Sequence, residues 1–181
     1  SLPAGTLSKT GTITIIATDP CGRSNVLTYP IIIKSKKNYW HGTLGDNDWA
    51  KAGNWTANRI PGDGEDVEFA TETNNPTVTG VTNSGPAKED LHLDQDRIIG
   101  NLINASKKNL VITTGNMLTI NGTVQDGPAE GTIVVKADPD NEKANGTLIF
   151  ANPSSNTNVQ ATVEFYNKAY ECADCGYFRK S

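Results

Sequence analysis

The sequence predicts an all-β protein, in which short strands stack either as a right-handed parallel β-helix or related β-solenoid, or as an antiparallel β-sandwich. Three observations predict this class. Asparagine, threonine, glycine, valine and isoleucine dominate the chain, helical periodicity is nearly absent, and short alternating apolar segments recur at regular intervals. The best helix candidate, residues 48–54, spans only about two turns and contains Gly53.

The first predicted element is a β-hairpin within residues 1–37. One strand is predicted over residues 11–18 and the other over residues 26–34, with a turn at Asp19-Pro20-Cys21-Gly22 between them. Pro30 has no backbone N–H to donate, so the second strand is predicted to be an edge strand.

This hairpin needs cover, because an isolated two-stranded hairpin is marginal in water. The apolar residues that must be covered are Ile13, Ile15, Ile31 and Ile33. We expect the hairpin to dock on the rest of the chain. The alternative is self-association, in which the hairpin pairs with that of a second molecule at its open edge.

Residues 38–69 contain all three tryptophans and are predicted to form a compact cap segment. Glycine, asparagine, aspartate and proline separate Trp40, Trp49 and Trp55, and this spacing is too irregular for one face of a helix. Buried indoles would form the small core of a knot of turns, whereas exposed indoles would stack on sugar rings. We favour burial, and the three tryptophans remain the candidate sugar-binding residues.

Residues 70–181 are predicted to form a repetitive β region. An apolar residue recurs every fifteen positions, and a second follows two residues later. The first set is Ile103, Leu118, Ile133, Leu148 and Val163, and the second set is Ala105, Ile120, Val135, Phe150 and Phe165. Strand alternation predicts that both sets from Leu118 to Phe165 face one core, with Thr119, Val134, Ile149 and Glu164 on the other side.

The tryptophan segment resembles a segment of repetitive, β-rich exported proteins of bacteria. The residues that carry the resemblance are Trp40-His41-Gly42, Asp48-Trp49, Asn54-Trp55, Ile60-Pro61-Gly62 and Asp66-Val67-Glu68-Phe69. The proteins in question are surface proteins of the Bacteroides group and β-helical autotransporter passengers, in which this segment looks like the cap that starts a β-solenoid. The resemblance favours the β-helix over the sandwich and implies an extracellular or outer-surface location.

The hairpin also resembles part of a known domain. Its pattern Ala17-Thr18-Asp19-Pro20-Cys21-Gly22 is similar to the final hairpin of bacterial immunoglobulin-like domains of the hyalin-repeat type. A segment of this length cannot close a seven-stranded sandwich. The resemblance therefore implies that most of that domain is missing and that the chain is a piece of something larger.

Charge and chemistry argue against several functional classes. The net charge of −4 and the pI near 5.1 argue against nucleic-acid binding, and the longest apolar runs are too short for membrane insertion. Neither histidine has a serine, cysteine or paired carboxylate at motif spacing, which argues against a nucleophilic or metallohydrolase site. Asp94, Asp96 and Arg97 are a partial match to the charged sets of β-helical polysaccharide lyases, without a lysine cluster.

No cofactor is expected, although three loops carry the alternating carboxylates that often bind Ca²⁺. They are Asp46-Asn47-Asp48, Asp63-Gly64-Glu65-Asp66 and Asp138-Pro139-Asp140-Asn141-Glu142. We favour a turn-forming role for these side chains. Cys172 and Cys175 are expected to form a local disulfide, with a reduced pair or a metal or redox site as alternatives. The redox state of Cys21 is left open.

These features predict a non-catalytic, extracellular or cell-surface segment of a larger bacterial protein, with a structural or adhesin-like role. Its partners would be glycans or host or cell-surface proteins. One alternative is a carbohydrate-binding module of a polysaccharide-processing system. A more distant alternative is a fragment of a β-helical polysaccharide lyase.

Overall fold

The computed structural model describes residues 8–34, 37–76, 85–126 and 131–166. In this part of the chain the protein is all-β, as predicted, and the helix candidate at residues 48–54 is reduced to a short 3-10 helix. The strands are β1 (Ser8–Thr18), β2 (Ser24–Lys34), β3 (Lys37–Trp40), β4 (Asp66–Phe69), β5 (Leu91–His92), β6 (Arg97–Ile99), β7 (Leu102–Asn104), β8 (Leu110–Ile112), β9 (Met117–Ile120), β10 (Val124–Asp126), β11 (Ile133–Val135), β12 (Thr147–Phe150) and β13 (Ala161–Val163). The 3-10 helices are Ala52–Asn54 and Pro153–Ser155. No helix in the described segments is both long and apolar enough to span a membrane.

Strands β1 and β2 form the predicted hairpin, an antiparallel two-stranded sheet. Pairing is continuous from Ser8 opposite Lys34 to Thr18 opposite Ser24. Asp19 fixes the turn, because its Oδ1 accepts hydrogen bonds from the N–H groups of Cys21 and Arg23, both at 2.9 Å.

The other eleven strands form three sheets in which every strand pair is parallel. The first sheet has the order β10-β7-β4-β3, the second β13-β11-β8-β5, and the third β12-β9-β6. From β4 onward the chain visits the first, second and third sheets in turn, three times, and β13 then adds to the second. Neighbours in each sheet therefore come from successive passages of the chain.

The passages are unequal in length, so strands fifteen residues apart do not stack on one another. Leu110 pairs with Leu91, 19 residues earlier, whereas Leu102 pairs with Val67, 35 residues earlier. The predicted repeat agrees with the strand pairing only at twice its length, as where Leu118 pairs with Leu148. The copy at Ile103 lies on the first sheet, and the four later copies fall on the third and second sheets alternately.

The predicted burial pattern holds in the middle copies of this motif and is wrong at the end. Leu118, Ile120, Ile133 and Val135 are buried, and Leu148 and Phe150 are half-buried against the same core. By contrast, Val163 is 64% and Phe165 77% exposed. The physical reason is position, since β13 is the outermost strand of its sheet in the described residues. Ile103 is not part of that prediction; it is half-buried, and its neighbours Leu102 and Asn104 take the buried positions of β7.

Polar side chains stack where the chain passes from the third sheet to the first. Asp66 Oδ1 accepts a hydrogen bond from the N–H of Asn101 at 2.7 Å, and Asn101 Oδ1 accepts one from the N–H of Thr123 at 2.8 Å. Asn156 Oδ1 accepts the N–H of Val124 at 2.8 Å. Gly122 is needed in this stack, because a Cβ there would lie 2.2 Å from Asn101 Oδ1. We call this arrangement the corner stack.

Candidate functional site

The three tryptophans form one buried cluster. Their side chains are 0–1% exposed, and the ring of Trp55 lies 5.1 Å from that of Trp40 and 4.9 Å from that of Trp49, both edge to face. Trp55 Nε1 donates to the carbonyl of Trp49, and Trp40 Nε1 donates to the carbonyl of Glu89, both at 2.9 Å. The prediction of burial is confirmed. The candidate sugar-binding faces of Trp40, Trp49 and Trp55 are covered by protein, so no sugar ring can stack on them in this structure.

The polar residues around the tryptophans hold the turns of the cap segment. Asn54 is buried, and its Nδ2 donates to Asp46 Oδ1 at 2.7 Å and to the carbonyl of Asp48 at 3.1 Å. Its Oδ1 accepts the N–H of Leu44 at 2.9 Å. This one amide therefore joins three points of the loop, as the favoured turn-forming interpretation expects.

The carboxylates of the other two acidic loops also bond local partners. Glu65 pairs with Arg59, and Asp138 Oδ1 accepts the N–H of Asp140 at 2.9 Å. Among the described residues, no group of three or more histidine, cysteine, aspartate or glutamate side chains is arranged to hold a metal ion. Ca²⁺ binding at these loops therefore stays a prediction without geometric support.

His41 ties the cap segment to the chain beyond it. It is fully buried, its Nδ1 donates to the carbonyl of Gly85 at 2.7 Å, and its Nε2 accepts a hydrogen bond from the Thr56 hydroxyl. Burial lowers the pKa of His41, and the nearby charge of Lys88 acts in the same direction. A neutral imidazole with both nitrogens engaged fits a structural role.

The partial match to a lyase site is also explained by structure. Arg97 forms a bidentate ion pair with Asp94, in which Nε lies 3.1 Å from Oδ1 and Nη2 lies 2.8 Å from Oδ2, and its guanidinium lies 5.6 Å from the ring centre of Trp49. Asp96 Oδ1 accepts the N–H of Met117 at 2.8 Å. These side chains therefore support the tryptophan cluster and the start of β9.

One cluster was missed in the sequence. Lys37 Nζ lies 2.5 Å from Glu68 Oε2, and Asn74 Nδ2 donates to Glu68 Oε1. The Glu68 carboxylate is buried, and Lys37 lies 5.7 Å from the ring centre of Tyr39. Burial opposes the charge of Lys37, but the hydrogen bond and charge of Glu68 outweigh it and raise the pKa of Lys37. The available signal was the charged Glu68 between Val67 and Phe69.

The hairpin carries an uncovered apolar surface. Residues directly opposite in an antiparallel pair share a face, and the register places Ile13 opposite Tyr29 and Ile15 opposite Leu27. These four side chains, which we call the hairpin face, are each about half exposed, at 48–51%.

The expected docking of the hairpin on the rest of the chain is therefore wrong for Ile13 and Ile15. Among the described residues, strands β1 and β2 pair only with each other, and the core runs from Trp40 to Val135 without them. Ile31 is half-buried, and the side chain of Ile33 lies outside the described residues.

The cysteines offer little chemistry in the described part of the chain. Cys21 is exposed in the hairpin turn and is a free thiol there. The predicted disulfide of Cys172 and Cys175 lies outside the described residues.

A cleft of about 470 Å³ opens beside the first sheet. Its lining consists of Ala70, Thr71, Glu72, Thr73, Pro86, Ala87, Ala105, Ser106, Lys107 and Lys108. The hydroxyl, carboxylate and ammonium groups of this lining can donate and accept hydrogen bonds, and the volume lies in the usual range for ligand sites.

These features define an all-β protein with three parallel sheets, a buried tryptophan cluster and an antiparallel hairpin that has an exposed apolar face. Among curated proteins, the chain is 52% identical over 149 residues to the minor fimbrium subunit Mfa5 of Porphyromonas gingivalis. The match covers 80% of this chain and only 11% of that relative. Comparisons with protein-family models and with solved structures found no match. Because a fimbrium is an appendage of the cell surface, the similarity indicates a bacterial surface protein and confirms the predicted extracellular or cell-surface location.

Proposed function

We propose that this chain is a non-catalytic structural or adhesin-like segment of a larger bacterial surface protein, and that the hairpin is its attachment element. The uncovered hairpin face carries this proposal, because an exposed apolar surface of this kind marks an interaction site. Similarity to a fimbrium subunit supports it, since fimbrial subunits associate with other fimbrial proteins. The candidate sugar-binding tryptophans and the residues of the partial lyase match also support a structural role, because their side chains pack or bond within the protein.

We further propose that the three parallel sheets are the three faces of a right-handed parallel β-helix. The cyclic order in which the chain visits them supports this, and so does the corner stack, which repeats on successive passages. Right-handedness is expected because parallel crossover connections are almost always right-handed. In this arrangement residues 38–69 are the cap and residues 70–181 the coils, while residues 1–37 are the hairpin of an incomplete immunoglobulin-like domain.

The two edges of the hairpin differ in what they offer a partner strand. Asp19 donates its N–H to the carbonyl of Arg23, so these two residues form a hydrogen-bonded pair. Hydrogen-bonded and non-hydrogen-bonded pairs alternate along an antiparallel ladder, and in this register Thr12 and Pro30 form a non-hydrogen-bonded pair. The nitrogen of Pro30 therefore faces the free edge of β2, where it supplies no donor. The free edge of β1 has no proline. We propose that a second copy of the chain pairs at β1 and covers the hairpin face.

The oligomeric state of two matched variants tests whether the hairpin face forms the dimer contact. Light scattering coupled to size-exclusion chromatography should show a dimer whose fraction grows with concentration. Ile15→Lys places a charge on the hairpin face and should give a monomer. Thr14→Lys places the same charge on the opposite face of the same strand and should leave the dimer largely intact. A wild-type chain that stays monomeric at every concentration would contradict self-association.

Proline substitutions test which edge of the hairpin pairs with the second copy. Thr14 and Thr28 lie opposite each other, and both direct their N–H groups outward, Thr14 at the free edge of β1 and Thr28 at that of β2. Thr14→Pro should abolish the dimer, whereas Thr28→Pro changes an edge that Pro30 already interrupts and should not. Equal loss in both variants would show that β1 is not the docking edge.

A carbohydrate-binding role would have to use the cleft beside the first sheet, because the tryptophans are buried. Lys107 and Lys108 could then bond sugar hydroxyl or carboxylate groups. A glycan array comparing the wild type with the Lys107→Ala, Lys108→Ala double variant tests this role. Binding that the double variant retains would exclude the cleft.

A further inference from the structure

We propose that the cleft beside the first sheet binds acidic sugars, that is, sugars whose ring carries a carboxylate. The inference rests on the carbohydrate-binding role of this cleft and deepens it, and it does not depend on the dimer. The cleft lies where the chain leaves the first sheet, because Ala70 follows β4 and Ala105 follows β7. Two successive passages of the chain therefore contribute to its lining, which Pro86 and Ala87 complete.

Small side chains give the cleft its depth. Ala70 is fully buried, and its carbonyl accepts the N–H of Ala87 at 2.8 Å, which joins two parts of the lining. Together with Ala105 and Pro86, these residues present methyl and ring carbons to the cleft. A sugar ring has an apolar face of C–H groups that can pack on such a surface. A mostly apolar floor with a few polar groups around it is typical of sites for small ligands.

Internal hydrogen bonds hold the rim that carries the two lysines. Asn104 is only 3% exposed, and its Oδ1 accepts the N–H of Ser106 at 3.1 Å and the hydroxyl of Ser106 at 2.9 Å. Its Nδ2 donates to the carbonyl of Lys108 at 2.8 Å, while the N–H of Lys108 donates to Ser106 Oγ at 3.1 Å. The backbone of Lys107 and Lys108 is therefore ordered before a ligand arrives, which lowers the entropic cost of binding.

A second rim is held in the same way. The N–H of Thr71 donates to the carbonyl of Asn74 at 3.1 Å, and the N–H of Asn74 donates to Thr71 Oγ1 at 3.0 Å. Asn75 Nδ2 donates to the carbonyls of Thr71 and Glu72, at 2.7 and 3.0 Å. These bonds use no atom of the Glu72 carboxylate, which is left to accept hydrogen bonds from sugar hydroxyl groups.

The charges of the two rims favour an acidic ligand. In the part of the chain that the structure describes, Lys107, Lys108 and Glu72 form no ion pair. The lining thus carries two positive charges against one negative charge, in a protein whose net charge is −4. A ligand carboxylate would accept charge-assisted hydrogen bonds from the ammonium groups, which are stronger than those between neutral groups. The described lining offers no aromatic ring on which a neutral sugar would stack.

Paired probes test the class of ligand. Isothermal titration calorimetry on the full chain compares trigalacturonate with its methyl ester, and sialyllactose with lactose. We expect at least one acid to bind, and its neutral counterpart to bind about tenfold more weakly or not at all. Added salt should weaken the binding of the acid, because salt screens exposed charges.

Matched variants locate the binding in the cleft. The Lys107→Ala, Lys108→Ala double variant should weaken binding of the acid about tenfold or more, because both ammonium groups are lost. Ala105→Trp fills the cleft without changing its charge and should also prevent binding, and the exposed position of Ala105 should let the fold accept the ring. The control is the Lys136→Ala, Lys143→Ala double variant, which removes two lysines outside the lining and should bind as the wild type does. Circular dichroism checks that each variant is folded.

The possible failures can be told apart. Equal binding of an acid and its neutral counterpart would overturn the acidic preference and leave the carbohydrate-binding role standing, whereas no binding of any probe would overturn both. Binding that survives both cleft variants would overturn the assignment to this cleft. An aspartate-rich peptide that binds as tightly as the acidic sugars would show a site for carboxylates of any kind and would overturn the assignment to sugars.

Discussion

Trp55 is the residue on which the cap segment depends most. Its ring lies between those of Trp40 and Trp49, and its indole N–H bonds the backbone of Trp49. Large rings of this kind supply most of the apolar contact in a short segment rich in turns. The remaining residues of the segment, mainly polar, could not replace that contact.

Trp55→Ala should therefore destabilise the fold by about 3 kcal/mol or more, as other large-to-small changes in a core do. Denaturant unfolding followed by circular dichroism measures the change. The control is Leu44→Ala, because Leu44 is mostly exposed and its loss should matter little. If Trp55→Ala and Leu44→Ala have similar effects, the cluster is not the core of the cap segment.

His41 should make stability depend on pH. Its pKa is lowered in the folded state from the ordinary value of 6.5, so the unfolded chain takes up this proton more readily. The stabilising contribution is complete above about pH 6.5 and is lost as the pH falls through the lower folded pKa. Unfolding curves recorded between neutral and mildly acidic pH should show this loss, and His41→Gln should remove that part of the slope.

The environment of a residue can be predicted from the sequence when nearby residues determine it, and not when it depends on distant segments. Burial of the tryptophans could be predicted, because their density and irregular spacing leave few other ways to build a core. The contact of Lys37 with Glu68 could not, since it depends on which strands pair. The same holds for Arg97 over Trp49, which joins two segments that the sequence keeps far apart.

At the scale of elements, the corner stack leaves no room for a side chain at Gly122. A Cβ at Gly122 would lie 2.2 Å from Asn101 Oδ1, whereas one at Gly62 would have no neighbour within 4 Å. Gly122→Ala should therefore destabilise the fold by about 1–3 kcal/mol through overpacking, and Gly62→Ala should have little effect. Thermal unfolding of the two variants provides the comparison, and equal melting temperatures would contradict the close packing.

The hairpin and the repeat show what a pattern in the sequence can predict about elements. The turn at Asp19 and the isoleucine-rich strands define the hairpin locally, and the structure confirms it. The fifteen-residue spacing predicts inward positions correctly at Leu118 and Ile133, where strands lie on both sides. It fails at Val163, because exposure there depends on whether another strand follows, and spacing alone does not contain that information.

At the scale of the whole molecule, the hairpin should open independently of the remaining sheets. In the part of the chain that the structure describes, its strands bond only each other and its apolar face is about half exposed, so its amides lack the protection that a shared core provides. Hydrogen exchange at a concentration that keeps the chain monomeric should show fast exchange over β1 and β2. Exchange over β7–β9 should be much slower. Uniform protection across both regions would indicate that the hairpin is covered after all.

The all-β class follows from composition, but the division into one antiparallel and three parallel sheets does not. Two-residue strands such as β5 carry too little pattern to reveal their partners. Paired strands are separated by different numbers of residues, because the loops between them differ in length. The apolar residues therefore show no single period that would reveal the pairing. What decides the arrangement is the fit of each new passage on the preceding one.

Pairing between neighbouring passages determines the order in which the parallel sheets can form. Each parallel strand bonds a partner from the passage immediately before or after it, at most 35 residues away between Val67 and Leu102. Each pairing therefore needs only a neighbouring passage and not the far end of the chain. A polypeptide that emerges gradually at the cell surface would therefore complete its layers one after another, in the order of its sequence.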